Sequence, residues 1–281
     1  MSALDNTLHF LLPYQWEPLI TLTCGGLLLL YVGGLVRGAH PGPWRNIAFF
    51  LGLGLIYFVT QTRYDYFSQY VFFFHRGQHL VLHHLGAMLI ALANPLPVLA
   101  TGTPRGLRER VLAPAWNSGP IQLLYRFIQH PVIAGLLFVG LIYFWLIPAI
   151  HFDAMLSQSL YNVMNWSMAV DGVLFWWLIL NPNPPATARG HAVGFGKRCL
   201  LLALVAFPQI ILGAYITFAH TSLYSIYALC GRPWPIAAKT DQVIGGIITW
   251  IPSAMMSLVG VVIVMAKWRK SERPAAVAMA S

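Results

Sequence analysis

Long stretches of apolar residues constrain this chain more than any other feature. Crossing the hydrocarbon core of a bilayer, about 30 Å thick, takes about 20 helical residues. Seven stretches reach or approach that length, and they cover residues 17–36, 45–60, 79–101, 131–150, 159–180, 199–219 and 242–266. Only 9% of the residues are charged, whereas roughly a quarter are charged in a soluble domain. The sequence therefore predicts an all-α, polytopic membrane bundle of seven transmembrane helices, forming one membrane domain over residues 1–281.

The distribution of basic residues predicts how this bundle is oriented. Of the 17 Lys and Arg residues, one alternating set of segments between the spans contains only Arg63, Arg76, Arg232 and Lys239. All the others lie in the opposite set, and cytoplasmic loops contain the excess of Lys and Arg. We therefore expect an external N-terminus and a cytoplasmic C-terminus in a bacterial inner membrane, with residues 268–281 as a basic, disordered tail. The net charge of +9 then reflects topology and does not indicate nucleic-acid binding.

Four histidines, His75, His79, His83 and His84, are clustered where the third stretch begins. Side chains four residues apart on an α-helix are separated by about 6 Å along its axis. His75 with His79, or His79 with His83, can therefore share one metal ion, whereas a regular helix keeps His75 and His83 about 12 Å apart. The repeated spacing favours metal ligation over hydrogen bonding at the membrane surface. Removing His79 is expected to weaken metal binding most, and His84 is expected to serve packing or another contact.

The fifth stretch has an acidic residue, Asp171, near its centre. A carboxylate inside a membrane costs several kcal/mol, so it is a functional candidate by default. Tyr161, Met164, Met168 and Asp171 recur at helical spacing and share one face. Methionine at this spacing is also typical of simple packing, but thioether and imidazole ligands suit Cu(I). Met164, Met168 and Asp171 are thus candidates for a second, deeper metal site.

Other polar residues lie within or beside the last two stretches. Gln209 follows Pro208 in the middle of the sixth, and Asp241 with Gln242 opens the seventh. Asp241 fits a helix N-terminal cap as well as a functional role. The sequence contains no G-x-S-x-G, P-loop or H-E-x-x-H motif, so we do not expect an enzyme.

Several segments resemble the CtaG-like cytochrome c oxidase assembly factors, a polytopic membrane family. They are HRGQHLVLHHL with NPLPVLATGTP, the His130-Pro131 pair, FWLIPAI, DGVLFWWLILNPNP, and DQVIGGIITWIPSAMM. The resemblance extends from the third to the seventh stretch, and the order and spacing of the segments make it more specific than any one of them. His75 and His79 match the family's H-x-x-x-H, and Asp241 and Gln242 match its D-Q pair. The chain departs from the family in the fifth stretch, where members have histidines and an acid but this sequence has Tyr161, Met164 and Asn165.

The resemblance implies a non-enzymatic factor that helps copper reach a haem–copper oxidase from the outer side of the membrane. The leading hypothesis is that Cu(I) binds transiently near His75, His79 and His83. The metal would then pass to the oxidase catalytic subunit or to another copper chaperone. Two alternatives remain open, an electron-transfer protein whose histidines ligate haem b, and a copper or proton transporter that uses Asp171.

Overall fold

The structure is a computed structural model that describes residues 10–13, 15–180, 193–229 and 231–280, with side chains through Glu272. Within these ranges the chain forms helices and no strands. The longer helices are α1 (Pro18–Val36), α2 (Pro43–Gln61), α3 (Arg63–Tyr70), α4 (Phe72–Ala93), α5 (Leu96–Gly102), α6 (Gly119–Ile128), α7 (Pro131–Leu146), α8 (Pro148–Leu156), α9 (Gln158–Leu180), α10 (Phe195–Phe218) and α11 (Ala238–Ala280). The predicted all-α architecture is confirmed.

Four of these helices, α1, α9, α10 and α11, are each long and apolar enough to cross a membrane. Three bent pairs pass the same test together: α2 with α3 (58°), α4 with α5 (68°) and α6 with α7 (70°). The described residues thus provide four membrane-spanning helices, or up to seven if each bent pair forms one span. A multi-pass membrane protein is supported, while the number seven and the orientation stay predictions.

The third predicted span, 79–101, begins seven residues later than the helix does, and it contains a break. Helix α4 begins at Phe72 and ends at Ala93, because Asn94 adopts a left-handed conformation with φ of 48°. Asparagine tolerates this conformation better than most residues, and Pro95 then starts the separate helix α5. The histidine cluster consequently lies inside a helix that starts seven residues earlier than predicted, rather than where a helix begins.

Helices α4 and α9 cross closely, and this crossing positions the candidate site. Gly172 of α9 lies against the backbone of His83 in α4, where a Cβ atom would come within 2.6 Å of the His83 carbonyl oxygen. Only glycine allows this approach without displacing a backbone. The side chains of α4 that face α9 are therefore enclosed by the bundle.

Three basic residues of the predicted cytoplasmic segments bind backbone carbonyls at helix ends. Arg37 donates to Gly102 (2.6 Å), Arg108 to Ala100 (3.1 Å) and Lys267 to Leu180 (2.7 Å). Cations are favourable at helix C-termini. The 181–184 part of the DGVLFWWLILNPNP segment lies outside the described residues, and the disordered tail at 268–281 stays a prediction, although α11 extends to Ala280.

Candidate functional site

A row of polar side chains along α4 is buried in the bundle. Each is at most 5% exposed: His75, Arg76, Gln78, His79, His83 and His84. Burying a polar group is costly unless it is hydrogen-bonded or binds a ligand. The partners of these side chains therefore indicate which of them are structural and which are available.

The cluster includes a π-helical turn, Leu80–Leu85, that the sequence analysis did not anticipate. The prediction of two alternative histidine pairs assumed a regular α-helix. That holds for His75 and His79, whose ring centroids are 4.3 Å apart, but the His79–His83 pair spans the π-helical turn. Instead, His79, His83 and His84 line one cavity of about 10 Å³ together with Met168 of α9. This is about the space that a single water molecule needs. Single π-helical turns frequently occur at functional sites.

His83 contacts Asp171, the membrane carboxylate that the sequence analysis identified as a functional candidate. Its Nε2 lies 3.0 Å from Asp171 Oδ2. When the carboxylate is ionised it can only accept a hydrogen bond, so in that state Nε2 has the proton and Nδ1 has a free lone pair. Nδ1 is buried and has no hydrogen-bond partner. This is the arrangement in which a metal-binding histidine is oriented by a carboxylate.

His84 lies beside His83, with 5.0 Å between the ring centroids. Its Nδ1 is also buried and has no hydrogen-bond partner. The two rings contact Phe138 of α7, which stacks on His83 at 4.0 Å. Two neighbouring imidazoles thus each have a buried nitrogen without a partner, and both residues line the same cavity.

His79, in contrast, uses both ring nitrogens. Arg76 Nη1 lies 3.3 Å from His79 Nδ1, and His79 Nε2 lies 3.2 Å from Asn165 Oδ1. Because arginine can only donate, Nδ1 accepts and Nε2 donates to the Asn165 oxygen. His79 would have to lose one of these bonds to bind a metal.

His75 has neither ring nitrogen in a hydrogen bond of normal geometry, although it makes a weaker contact with the Ser68 backbone. Its ring centroid lies 4.3 Å from that of His79 and 5.0 Å from that of His151. His151 was not among the candidates. It is fixed by the Trp145 carbonyl (3.0 Å) and the Tyr227 hydroxyl (2.9 Å).

A second polar cluster, around Asp65, involves the first residue of the predicted stripe on α9. Tyr161 Oη lies 2.7 Å from Asp65 Oδ1 and 3.0 Å from Gln78 Oε1, and Gln78 donates to Asp65 at 2.8 Å. These bonds connect α3, α4 and α9. Asp65, Gln78 and Arg76 had no distinguishing spacing in the sequence, so only the tertiary structure identifies them.

The two candidate methionines have different surroundings. Both are buried, at 0% for Met164 and 1% for Met168. Both belong to the hydrophobic cluster that includes Phe72 and Tyr227, but of the two only Met168 also lines the histidine cavity. The structure therefore groups Met168, but not Met164, with the histidines.

The remaining candidates serve the packing of helix ends and loops. Asp241 accepts from the backbone amides of Phe72 (3.2 Å) and Phe73 (2.9 Å) and pairs with Arg232. It therefore caps α4 rather than its own helix.

Gln242 bonds the Leu223 amide and the carbonyls of Ile216 and Thr221, so it fixes the loop after α10. Gln209 donates to the Val205 carbonyl, but its Oε1 is buried without a partner. Neither side chain lines the histidine cavity.

The histidine cavity cannot hold a metal with three His, Cys, Asp or Glu ligands as it stands. Among the described residues no group of three such side chains is arranged to hold an ion. The donor set available is two imidazole nitrogens, from His83 and His84, together with the thioether of Met168. Soft thioether and imidazole donors suit Cu(I), whereas Mg²⁺ and Ca²⁺ require oxygen ligands.

The comparisons with known proteins identify a single family over most of the chain. Residues 29–271 match the family described as cytochrome c oxidase caa3 assembly factor (Caa3_CtaG). The uncharacterized protein ML1998 of Mycobacterium leprae is 25% identical over 97% of this chain and 42% of its own length. The uncharacterized protein Mb0105 of Mycobacterium bovis is 25% identical over 92% of this chain and 40% of its own length. The chain thus spans about two fifths of these relatives, and no solved structure matches it.

Proposed function

The chain belongs to the cytochrome c oxidase caa3 assembly factor family, and we propose that it performs this role by binding Cu(I) at the histidine cavity and presenting it to the oxidase. The copper is cargo, held transiently and then passed on. The recipient would be the catalytic subunit of a haem–copper oxidase or another copper chaperone. We do not propose a catalytic reaction.

The observation that carries the proposal is the free Nδ1 of His83. With Asp171 ionised, its contact with Nε2 holds the proton there and orients the ring, which leaves Nδ1 as a buried lone pair. Nδ1 of the neighbouring His84 is also buried without a partner. A buried polar group without a partner costs about 1–3 kcal/mol. Binding a metal ion at these nitrogens would remove that cost, and Met168 supplies a thioether at the same cavity.

Arg76 opposes a divalent ion at the cavity more than a monovalent one. Arg76 also lines the cavity, and among the described residues no carboxylate lies within salt-bridge distance of it. Because Coulomb repulsion is proportional to the charge of the ion, Arg76 repels Cu(I) half as strongly as Cu(II) or Zn(II). The nearby Asp171 carboxylate offsets part of this repulsion.

In this proposal His75 and His79 would bind the copper ion before it reaches the histidine cavity. His75 lies two turns closer to the start of α4 than His83, and its ring nitrogens make no regular hydrogen bond. An ion bound at His75 would meet His79 next, 4.3 Å away, and then reach the cavity. In this proposal His83, rather than His79, is the principal ligand.

The geometry gives less support to the two alternatives. A haem must fit its macrocycle between axial ligands, whereas the His75 and His151 rings of facing helices are 5.0 Å apart and perpendicular. A transporter would need Asp171 to exchange its partner during transport, and Asp171 is bonded to His83. Flux into proteoliposomes that Asp171→Asn abolishes would favour transport over chaperoning.

A pair of methionine variants tests the copper site. We expect Met168→Leu to weaken Cu(I) binding by at least about tenfold, because altered metal surroundings typically cost 10–100-fold in affinity. Met164→Leu is the matched control, since Met164 is equally buried on the same helix but does not line the cavity. Competition with a chromophoric Cu(I) chelator measures both affinities in detergent-purified protein. Equal affinities in the two variants would remove Met168 from the site.

Oxidase assembly in cells tests the wider role. A strain lacking the chain should contain less copper-loaded oxidase, and the wild-type gene should restore the oxidase absorbance spectrum. We expect His83→Gln to restore it poorly and added copper to improve that strain in particular. Full restoration by His83→Gln would contradict the proposed site without affecting membership of the family.

A further inference from the structure

A second, much larger cavity lies beside α9, next to a hydrophobic cluster that includes Cys24 and Phe49. It has a volume of about 820 Å³ and is bordered by α1, α2, α4, α5 and α9, with Trp116 and Tyr125 at one end. Its lining is almost entirely apolar, with Asn165, Thr60 and Thr23 among the few polar side chains. Val170 and Leu96 line it and are 50% and 57% exposed, so the cavity opens sideways toward the bilayer.

The cavity has the length of one bilayer leaflet. It extends along α9 from Asn165 to Trp177, a rise of about 18 Å at 1.5 Å per residue. Half of a typical hydrocarbon core is about 15 Å. An extended lipid chain that begins at one membrane surface would therefore end near the opposite end of this cavity.

The cavity is large enough for acyl chains. Its volume of about 820 Å³ lies toward the upper end of the range of about 300–1,000 Å³ that is usual for sites that bind small organic ligands. A transmembrane helix from a partner protein is about 10 Å wide and would require the surrounding helices to separate.

The charge at one end of the cavity indicates the headgroup. Leu99 lines the cavity, and the next three residues accept hydrogen bonds from Arg37 and Arg108. The adjoining segment 101–130 contains four arginines and one glutamate, and this glutamate, Glu109, pairs with Arg108 at 3.5 Å. Polybasic segments beside a membrane attract anionic lipids.

Helix α6 closes this end of the cavity in the plane that a headgroup would occupy. It turns 70° away from α7, and its apolar side chains Ile121, Leu123, Leu124 and Phe127 are exposed. An amphipathic helix of this kind lies in the membrane interface. Tyr125 of the same helix contacts Trp116, with ring centroids 5.0 Å apart, and both line the cavity.

We infer that the cavity binds one anionic phospholipid, with its headgroup at the arginine-rich end and its two acyl chains extending toward Asn165. Asn165 is also hydrogen-bonded to His79, so the ends of the acyl chains lie next to a residue that contacts the histidine cluster. The inference does not depend on copper binding. The bound phospholipid would occupy one defined site, unlike the lipids that surround any membrane protein.

Lipid retention by the full-length chain tests this inference. After purification and exchange into a second detergent, we expect about one anionic phospholipid per chain by extraction and mass spectrometry. Ala169→Phe places a large side chain at the cavity lining and should reduce retention at least fivefold. Val163→Phe is the matched control, because Val163 is exposed on the same helix and does not line the cavity.

The alternative results are distinct. Retention of an isoprenoid quinone in place of a phospholipid, no retained lipid in the wild-type chain, or equal retention in the two variants would each overturn the inference. If Ala169→Phe does not fold, the wild-type stoichiometry and Arg108→Gln still decide the question. Arg108→Gln should lower the anionic fraction of the retained lipid, and an unchanged fraction would contradict the headgroup assignment.

Discussion

The close crossing of α4 and α9 allows a prediction that can be worked out from the structure. In Gly172→Ala the added methyl group would lie 2.6 Å from the His83 carbonyl oxygen, 2.8 Å from its Cα and 2.9 Å from its carbonyl carbon. All three are backbone atoms of a packed helix, so no side chain can rotate to relieve the contact. The two helices must therefore separate, and His83 must shift relative to Asp171 and His84.

Overpacking of this kind typically costs about 1–3 kcal/mol, which corresponds to a fall in melting temperature of roughly 2–5 °C for a chain of this length. Thermal unfolding in detergent measures it. Gly140→Ala is the control, because nothing lies within 4 Å of its added methyl group, and replacing a helical glycine by alanine is favourable by up to about 1 kcal/mol.

Cu(I) affinity should fall in Gly172→Ala as well, because the clash lies at the backbone of the principal ligand. Equal melting temperatures for Gly172→Ala and Gly140→Ala would refute the close crossing. If Gly172→Ala is less stable but binds Cu(I) with wild-type affinity, the close crossing is supported and the metal must bind elsewhere.

Two further predictions concern the carboxylates. Asp171→Asn should lower Cu(I) affinity about 10–100-fold while the fold is retained, because it removes the charge that orients and polarises His83; an unchanged chelator titration would exclude Asp171 from the site. Asp241→Ala should reduce the free energy of unfolding by about 1–2 kcal/mol, since it removes the cap of α4. Asp153→Ala, at an exposed position, should have little effect, and equal unfolding curves for the two alanine variants would show that the cap contributes nothing.

The apolar stretches were enough to predict an all-helical membrane protein, because their length and low charge leave few other arrangements. The bends were harder to predict. Apolar residues lie on both sides of Asn94 and Pro95, so a hydropathy profile alone does not reveal that the helix ends there. Only the left-handed conformation of Asn94 shows the break.

The candidate site was predictable by residue type but not by geometry. The spacing of His75, His79 and His83 on an α-helix led to the prediction of two alternative pairs that share His79. The π-helical turn at Leu80–Leu85 changes the spacing of the side chains that follow His79 along the helix. His84 lines the cavity, and both ring nitrogens of His79 are hydrogen-bonded, to Arg76 and to Asn165. No sequence pattern distinguishes such a turn from regular helix in an apolar segment.

Hydrogen-bond partners from distant parts of the chain could not be predicted from the sequence either. Asp241 was expected either to cap its own helix or to have a functional role. It caps α4 instead, 169 residues away in sequence from its first partner. Asp171 was identified because a membrane carboxylate is rare, whereas its pairing with His83 depends on the crossing of α4 and α9.

X-ray absorption at the copper edge of the Cu(I)-loaded, detergent-purified chain tests the central claim most directly. The account predicts a copper ion bound by two imidazole nitrogens with one thioether sulfur, and loss of one imidazole from the spectrum in His84→Phe. A spectrum without imidazole scattering, or one identical in the wild-type chain and in His84→Phe, would contradict it.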